Sequence, residues 1–134
     1  MAKKSTMTEK EWKKKLPPKA YEVLREKKTE QAFSGEYWNS EEEGTYLCAA
    51  CGEELFRSEA KFKSATGWPS FSEPVASSAV DYQDDAGFFT KRTEVLCHRC
   101  GCHLGHLFQD GPKPSRNRYC INSVALKLKK KKKG

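Results

Sequence analysis

Two short stretches decide the fold: Cys48-Ala49-Ala50-Cys51-Gly52 and Cys97-His98-Arg99-Cys100-Gly101. Each is a C-x-x-C pair followed by a glycine, which lets the backbone turn tightly behind the second sulfur. Four thiolates brought to one point satisfy the tetrahedral preference of zinc and leave no open coordination position, as in a structural site. We therefore expect one structural zinc ion, and iron also fits a four-sulfur cage. The expected ligands are Cys48, Cys51, Cys97 and Cys100.

Other uses of paired cysteines fit this chain less well. A thioredoxin-like redox pair usually opens a helix in a β-α-β unit, and the sequence around these pairs predicts no such unit. No apolar run follows the basic start of the chain, so we expect no secretory signal and a cytoplasmic location. Disulfides are rare in that reducing compartment, which favours a metal site over two bridges.

The sequence on either side of the cysteine pairs predicts a mainly β protein. From Gly44 onward, short apolar runs alternate with turn residues, a pattern typical of antiparallel strands. Upstream, Thr8 and Glu11 match a helical capping box, and Pro17-Pro18 ends that helix. We expect one domain over residues 1–126, with a helical N-terminus at 8–28 and a β core at 44–126. The predicted strands are 45–48, 53–57, 88–96, 106–108 and 118–128, with another within 73–81.

Composition and charge exclude several classes of protein. The chain has 134 residues and 37% hydrophobic residues, enough for one domain with a modest core. No stretch approaches the roughly 20 apolar residues of a membrane span. Six lysines between Lys127 and Lys133 supply most of the formal charge of +7, so the body is near neutral. We expect residues 127–134 to be a disordered tail, either merely solvated or in contact with acidic partners.

Zinc would use four cysteines and leave Cys102 and Cys120. If 118–128 is a strand, its two-residue period places Arg118, Cys120 and Asn122 on one face. A guanidinium and an amide beside a thiol lower its pKa, so Cys120 is predicted to be reactive. The alternative is a free cysteine that fills a gap in the core.

Two further motifs have the chemistry of a pocket. His103 and His106 lie three residues apart with a glycine between them, so both imidazoles can face one pocket and transfer protons near neutral pH. Alternatively, one of them packs in the interior and the other is exposed. Trp68 either offers an aromatic face to a sulfur-bearing ligand or belongs to the core.

Taken in order along the chain, these motifs resemble the methionine-R-sulfoxide reductases of type B, over about residues 33–128. Any one motif is weak evidence, whereas their succession is distinctive. Besides the two C-x-x-C pairs, the motifs are Lys61-Phe62-Lys63-Ser64, Gly67-Trp68-Pro69-Ser70-Phe71, His103-Leu104-Gly105-His106-Leu107-Phe108, Asp110-Gly111-Pro112 and Arg118-Tyr119-Cys120-Ile121-Asn122-Ser123.

The resemblance implies two antiparallel β-sheets with N-terminal helices, and zinc on the side away from the active site. It also implies reduction of the R epimer of methionine sulfoxide, free or in proteins. The Cys120 thiolate would attack the sulfoxide sulfur and become a sulfenic acid, which a second thiol condenses with. Trp68 matches the tryptophan that packs against the substrate methyl group. The other matching catalytic positions are His103, His106, Asn122 and Arg118.

One departure from the family pattern concerns recycling. Many members have a second cysteine just before the Gly-Trp-Pro turn, but Lys63-Ser64-Ala65-Thr66 contains none. We hypothesise that Cys102 resolves the sulfenic acid; otherwise an external dithiol such as thioredoxin reduces Cys120. We expect a monomer, with neither nucleic acid nor membrane among its partners.

Two other functions compete with this interpretation. The first is a zinc-ribbon-like module whose basic tail binds nucleic acid, which the near-neutral body disfavours. The second is a redox sensor in which Cys120 is oxidised without substrate turnover.

Overall fold

The computed structural model describes residues 8–26, 28–63, 66–86, 91–113 and 115–130. Two short helices come first, α1 (Glu9–Lys15) and α2 (Pro18–Leu24). The predicted capping box is present: the Glu11 N–H donates to Thr8 Oγ1 and the Thr8 N–H donates to Glu11 Oε1, both at 3.2 Å. Within the described part of the chain, no helix is both long and apolar enough to cross a membrane.

Among the described residues, nine strands follow the helices and form two antiparallel sheets. The small sheet has the order β2-β1-β9 and the large sheet has the order β3-β4-β8-β7-β6-β5. This confirms the predicted mainly β fold with two antiparallel sheets and short N-terminal helices. The strands are β1 (Gly44–Cys48), β2 (Glu54–Arg57), β3 (Lys61–Phe62), β4 (Ser70–Phe71), β5 (Val80–Ala86), β6 (Lys91–Cys97), β7 (His103–Phe108), β8 (Arg118–Ile121) and β9 (Leu126–Lys130).

The C-terminal end of the chain differs from the prediction. The single strand predicted over 118–128 is two strands, because a 3₁₀ turn at Ser123–Ala125 carries the chain from the large sheet to the small one. β9 then pairs with β1 as far as Lys130. The prediction of disorder is therefore wrong for residues 127–130, where Leu128 packs against the core while the lysines alternate with it. Residues 131–134 lie outside the described residues.

Three other predicted strands are shifted. The strand sought within 73–81 is β5, which begins only at Val80. The strand predicted over 106–108 begins earlier, at His103. The strand predicted over 88–96 corresponds to Lys91–Cys97, and residues 88–90 lie outside the described part of the chain.

Aromatic side chains fill the space between the two sheets. Phe56 of β2 stacks on Phe71 of β4 with ring centroids 4.5 Å apart, and Tyr119 of β8 lies 5.7 Å from Phe56. Tyr119 and Ile121 are buried on the core side of β8. Because side chains alternate along a strand, this packing turns Cys120 to the opposite face of the large sheet.

Candidate active site

Three neighbouring strands of the large sheet align three chemically active side chains. Glu94 of β6 pairs with His106 of β7, and His106 pairs with Cys120 of β8. Directly paired residues of antiparallel strands have their side chains on the same face. The sheet register therefore places a carboxylate, an imidazole and a thiol in one row.

A β-bulge brings the second histidine to this row. Residues three apart in a regular strand point to opposite faces, so His103 would face away from His106. In β7, however, Val95 pairs with Gly105 and Leu96 pairs with His103, so the register passes over Leu104. The extra residue reverses the alternation, and the two imidazole rings meet edge to face with centroids 5.3 Å apart.

His103 is held from behind by a buried carboxylate. Its Nδ1 lies 2.7 Å from Glu94 Oε2, and only 2% and 3% of the two side chains is exposed. The two groups lie within hydrogen-bonding distance, so the carboxyl group fixes the orientation of the imidazole ring. Sequence reasoning missed Glu94. The available signal was a single acidic residue beside the apolar run of β6, since buried carboxylates are rare unless paired.

Cys120 lies in a small pocket at the edge of the row. Its volume is about 150 Å³. His106 faces into it, whereas His103 lies behind and does not line it. A Cβ on Gly105 would collide with the Cys120 carbonyl oxygen, so glycine is required where β7 approaches the nucleophile strand. The lining residues are Thr29, Thr66, Trp68, Gly105, His106, Phe108, Arg118, Cys120 and Asn122.

Glu30, a loop residue, forms hydrogen bonds with two residues that line the pocket, Trp68 and Asn122. The Trp68 Nε1–H donates to the Glu30 carbonyl oxygen, and the Glu30 N–H donates to Asn122 Oδ1, both at 3.0 Å. Asn122 Nδ2 in turn donates to the Leu104 carbonyl oxygen at 3.0 Å. The Asn122 amide group therefore bonds to backbone groups of Glu30 and Leu104 rather than to the Cys120 thiol. Glu30 was not predicted, because only the folded structure reveals its contacts with residues far along the chain.

The pKa of Cys120 is raised above its ordinary value, chiefly because the thiol is buried. The charge and hydrogen bonding of Arg118 lower this pKa without overcoming the burial, and the charge of Glu30 raises it. The predicted lowering of the Cys120 pKa is thus wrong. Arg118 is also shared with another group: its Nε donates to Asp110 Oδ1 at 2.7 Å, which holds the pKa of Asp110 below its ordinary value.

The two cysteine pairs meet as predicted. The Sγ atoms of all four cysteines lie within 4.8 Å of one another, with Cys48–Cys100 at 3.7 Å and Cys51–Cys97 at 3.6 Å. Thiolates at the corners of a zinc tetrahedron, with bonds of about 2.3 Å, would be about 3.8 Å apart. Gly52 and Gly101 have φ of 81° and 75°, the left-handed backbone expected behind each pair. This donor set and spacing fit a four-thiolate metal site, which shares no residue with the pocket.

Cys102 does not join the pocket. It is fully buried beside Arg25, whose Nη1 lies 3.8 Å from its Sγ. His106 is the register partner of Cys120, and Cys102 precedes His106 by four residues. The bulge at Leu104 removes one step of the register, so at about 3.3 Å per residue this separation along the strand is roughly 10 Å, whereas a disulfide needs Cα atoms within about 7 Å. This arrangement of the strands therefore places Cys102 beyond direct disulfide range of Cys120, which argues against Cys102 as the resolving thiol.

Comparison with known proteins gives the same family as the sequence motifs. The SelR domain matches residues 16–130. Three relatives are named peptide methionine sulfoxide reductase MsrB. The protein of Methanosarcina barkeri is 54% identical over 127 residues, covering 95% of this chain and 89% of the relative.

The other two relatives come from bacteria. The Acinetobacter baylyi protein is 49% identical over 126 residues, covering 94% of this chain and 91% of the relative. The Acinetobacter baumannii protein is 48% identical over 130 residues, covering 97% and 94%. Matches of this length and identity show that the chain belongs to the SelR-domain family, the type B methionine sulfoxide reductases.

Proposed function

We propose that this protein reduces methionine-R-sulfoxide, free or within oxidised proteins, to methionine, with Cys120 as the nucleophile. The observation that carries the proposal is the placement of Cys120 and His106 as direct register partners at one small pocket with an aromatic wall. Relatives that match nearly the whole chain are named for the reduction of methionine sulfoxide in peptides.

The proposed reaction begins at the sulfoxide sulfur. The Cys120 sulfur forms a bond to it as the thiol proton passes to His106, and His106 passes a proton on to the sulfoxide oxygen. The oxygen then transfers to Cys120 as the bond between the two sulfurs breaks. A thiol and a sulfoxide thus become a sulfenic acid and a thioether, and the proton balance closes.

His106 is the better candidate for the proton donor because it lines the pocket, whereas His103 does not. We assign His103 a positioning role, since Glu94 fixes its ring and its ring contacts that of His106. The raised pKa of Cys120 means that the thiol stays protonated in the free protein. Loss of that proton is then coupled to attack, where Arg118 favours the developing thiolate.

Trp68 and Asn122 complete the site in different ways. Trp68 would hold the substrate methyl group against its ring, which its hydrogen bond to the Glu30 carbonyl keeps in place. The R epimer would be selected by shape, because only one arrangement directs the oxygen to His106 while the methyl group faces Trp68. Asn122 positions the Glu30 segment and β7 around the pocket.

Recycling of Cys120 would use external thiols. One thiol condenses with the sulfenic acid, releases water and leaves a mixed disulfide. A second thiol displaces Cys120 and restores it. We propose a dithiol such as thioredoxin as the reductant, because Cys102 lies too far along β7 to take this part.

We further propose zinc as the ion of the four-cysteine cluster, with a structural role that ties β1 to the end of β6. The pocket is formed by one chain, so we propose that a monomer is active. The six cysteines form no disulfide with one another, which suits a reducing compartment, and we place the protein in the cytoplasm.

The test is turnover of racemic methionine sulfoxide with dithiothreitol, followed by chiral analysis. We expect half of the racemate to disappear and the S epimer to remain, with no turnover by Cys120→Ser. A nucleic-acid-binding module would leave both epimers untouched, and so would a redox sensor oxidised only by peroxide.

A further inference from the structure

An aromatic pair lies next to the pocket, formed by the exposed Phe33 and the half-buried Trp38; we call it the aromatic rim. Phe33 is 55% exposed, and its ring meets that of Trp38 edge to face with centroids 4.8 Å apart. Among the described residues, the other large hydrophobic side chain with comparable exposure is Tyr82, at 47%. A single exposed aromatic side chain is common on protein surfaces, so the backbone conformation of Phe33 is the more informative feature.

The backbone holds Phe33 in a disfavoured conformation. Its φ is +66°, in the left-handed region that bulky residues rarely adopt. The Phe33 N–H donates to the Gly67 carbonyl oxygen at 2.8 Å. Gly67 itself has φ +88°, and a Cβ there would come within 2.8 Å of the Phe33 ring. Such strain persists only where the surroundings enforce it, and here it keeps the ring at the surface.

The aromatic rim is continuous with the pocket. Gly67, which contacts Phe33, lies between Thr66 and Trp68, and both of these line the pocket. Thr29, four residues before Phe33, lines it as well. The volume of about 150 Å³ is that of a cavity able to hold benzene, so it accommodates a methionine sulfoxide side chain and little more. A polypeptide that carries this side chain must therefore lie outside the pocket, and the rim borders the pocket wall formed by Thr66 and Trp68.

We infer that the aromatic rim binds an apolar side chain adjacent to the oxidised methionine of a polypeptide substrate. This inference rests on the proposed function and specifies its substrate class. Both rim side chains are aromatic, so the flanking residue that fits them is an apolar one, which leaves water on packing against the rings. The rim offers such a neighbour a fixed aromatic surface, and free methionine sulfoxide has no group to place there.

The test compares three substrates: free methionine-R-sulfoxide, and two pentapeptides with a central methionine-R-sulfoxide flanked by leucines or by serines. Phe33→Asn removes the ring, and asparagine tolerates the left-handed backbone. We expect this variant to raise KM for the leucine-flanked peptide about tenfold, the effect of losing roughly 50 Å² of apolar contact, with kcat unchanged. KM for the other two substrates should stay as in the wild type, and Phe33→Leu should keep most of the affinity.

Tyr82→Asn is the control, since it removes the other exposed aromatic ring, which lies on β5 and does not line the pocket. It should leave all three substrates unaffected. If Phe33→Asn raises KM equally for all three substrates, or raises it for none of them, the inference is refuted while the proposed function stands. A wild-type protein inactive on every one of the three refutes the proposed function, and this inference with it.

Discussion

The four-cysteine cluster joins two parts of the chain that are far apart in sequence, so loss of the proposed zinc ion should lower stability by a calculable amount. Forty-five residues separate Cys51 from Cys97, and the cluster closes this loop. In the chain-entropy treatment of cross-links, closing such a loop stabilises the folded state by about 4 kcal/mol. For a urea m-value of about 1.5–2 kcal/mol/M, removing the metal should lower the unfolding midpoint by roughly 2–3 M.

The assay is urea unfolding of three proteins, each with and without a chelator. Wild type should show the full chelator-dependent shift. Cys51→Ser should unfold early and respond little to chelator, because its site has lost a ligand. Cys102→Ala should keep the full shift, since Cys102 is buried beside the cluster but is not one of the four clustered cysteines. A wild-type midpoint that ignores the chelator would refute this reasoning.

Three further perturbations test the site. Glu94→Ala leaves the buried His103 ring without its hydrogen-bond partner, so the free energy of unfolding measured in urea should fall by about 1–3 kcal/mol; an unchanged value would contradict the pairing. Iodoacetamide alkylates the thiolate, whose fraction grows as the pH rises through the pKa of the thiol. Because the pKa of Cys120 is raised, its alkylation should still accelerate above about pH 8.5, the ordinary pKa of a cysteine. Arg118→Met should move this profile to higher pH, because Arg118 lowers the Cys120 pKa, and a shift to lower pH would show the opposite coupling. Gly105→Ala places a methyl group against the Cys120 backbone and should cost about 1–3 kcal/mol in urea unfolding together with most of the reductase activity; wild-type behaviour would contradict the close approach of the strands.

Local sequence patterns predicted the parts of the fold that depend on near neighbours. The capping box at Thr8 is set by residues three apart, and the turns at Gly52 and Gly101 follow from the cysteine pairs they end. β9 could not be predicted in the same way. Its lysines indicate a solvated tail, and only pairing with β1, far away in sequence, makes it a strand.

The candidate site shows the same division between local and long-range information. Alternation along β8 correctly separated Cys120 from the buried Tyr119, since that period is local. The meeting of His103 and His106 depends on a bulge that spacing alone does not reveal. The direction of the Cys120 pKa shift was missed because Arg118 is visible in the sequence, whereas burial of the thiol depends on how the whole domain packs.

The most direct measurement is a single turnover without any reductant. Reduced protein is mixed with excess methionine-R-sulfoxide, the methionine formed is counted, and the oxidised cysteine is trapped with dimedone and located by mass spectrometry. We predict one equivalent of methionine per protein and a dimedone adduct at Cys120. Methionine formed with the label on another cysteine, or no methionine at all, would contradict the assignment of Cys120 as the residue that takes the oxygen.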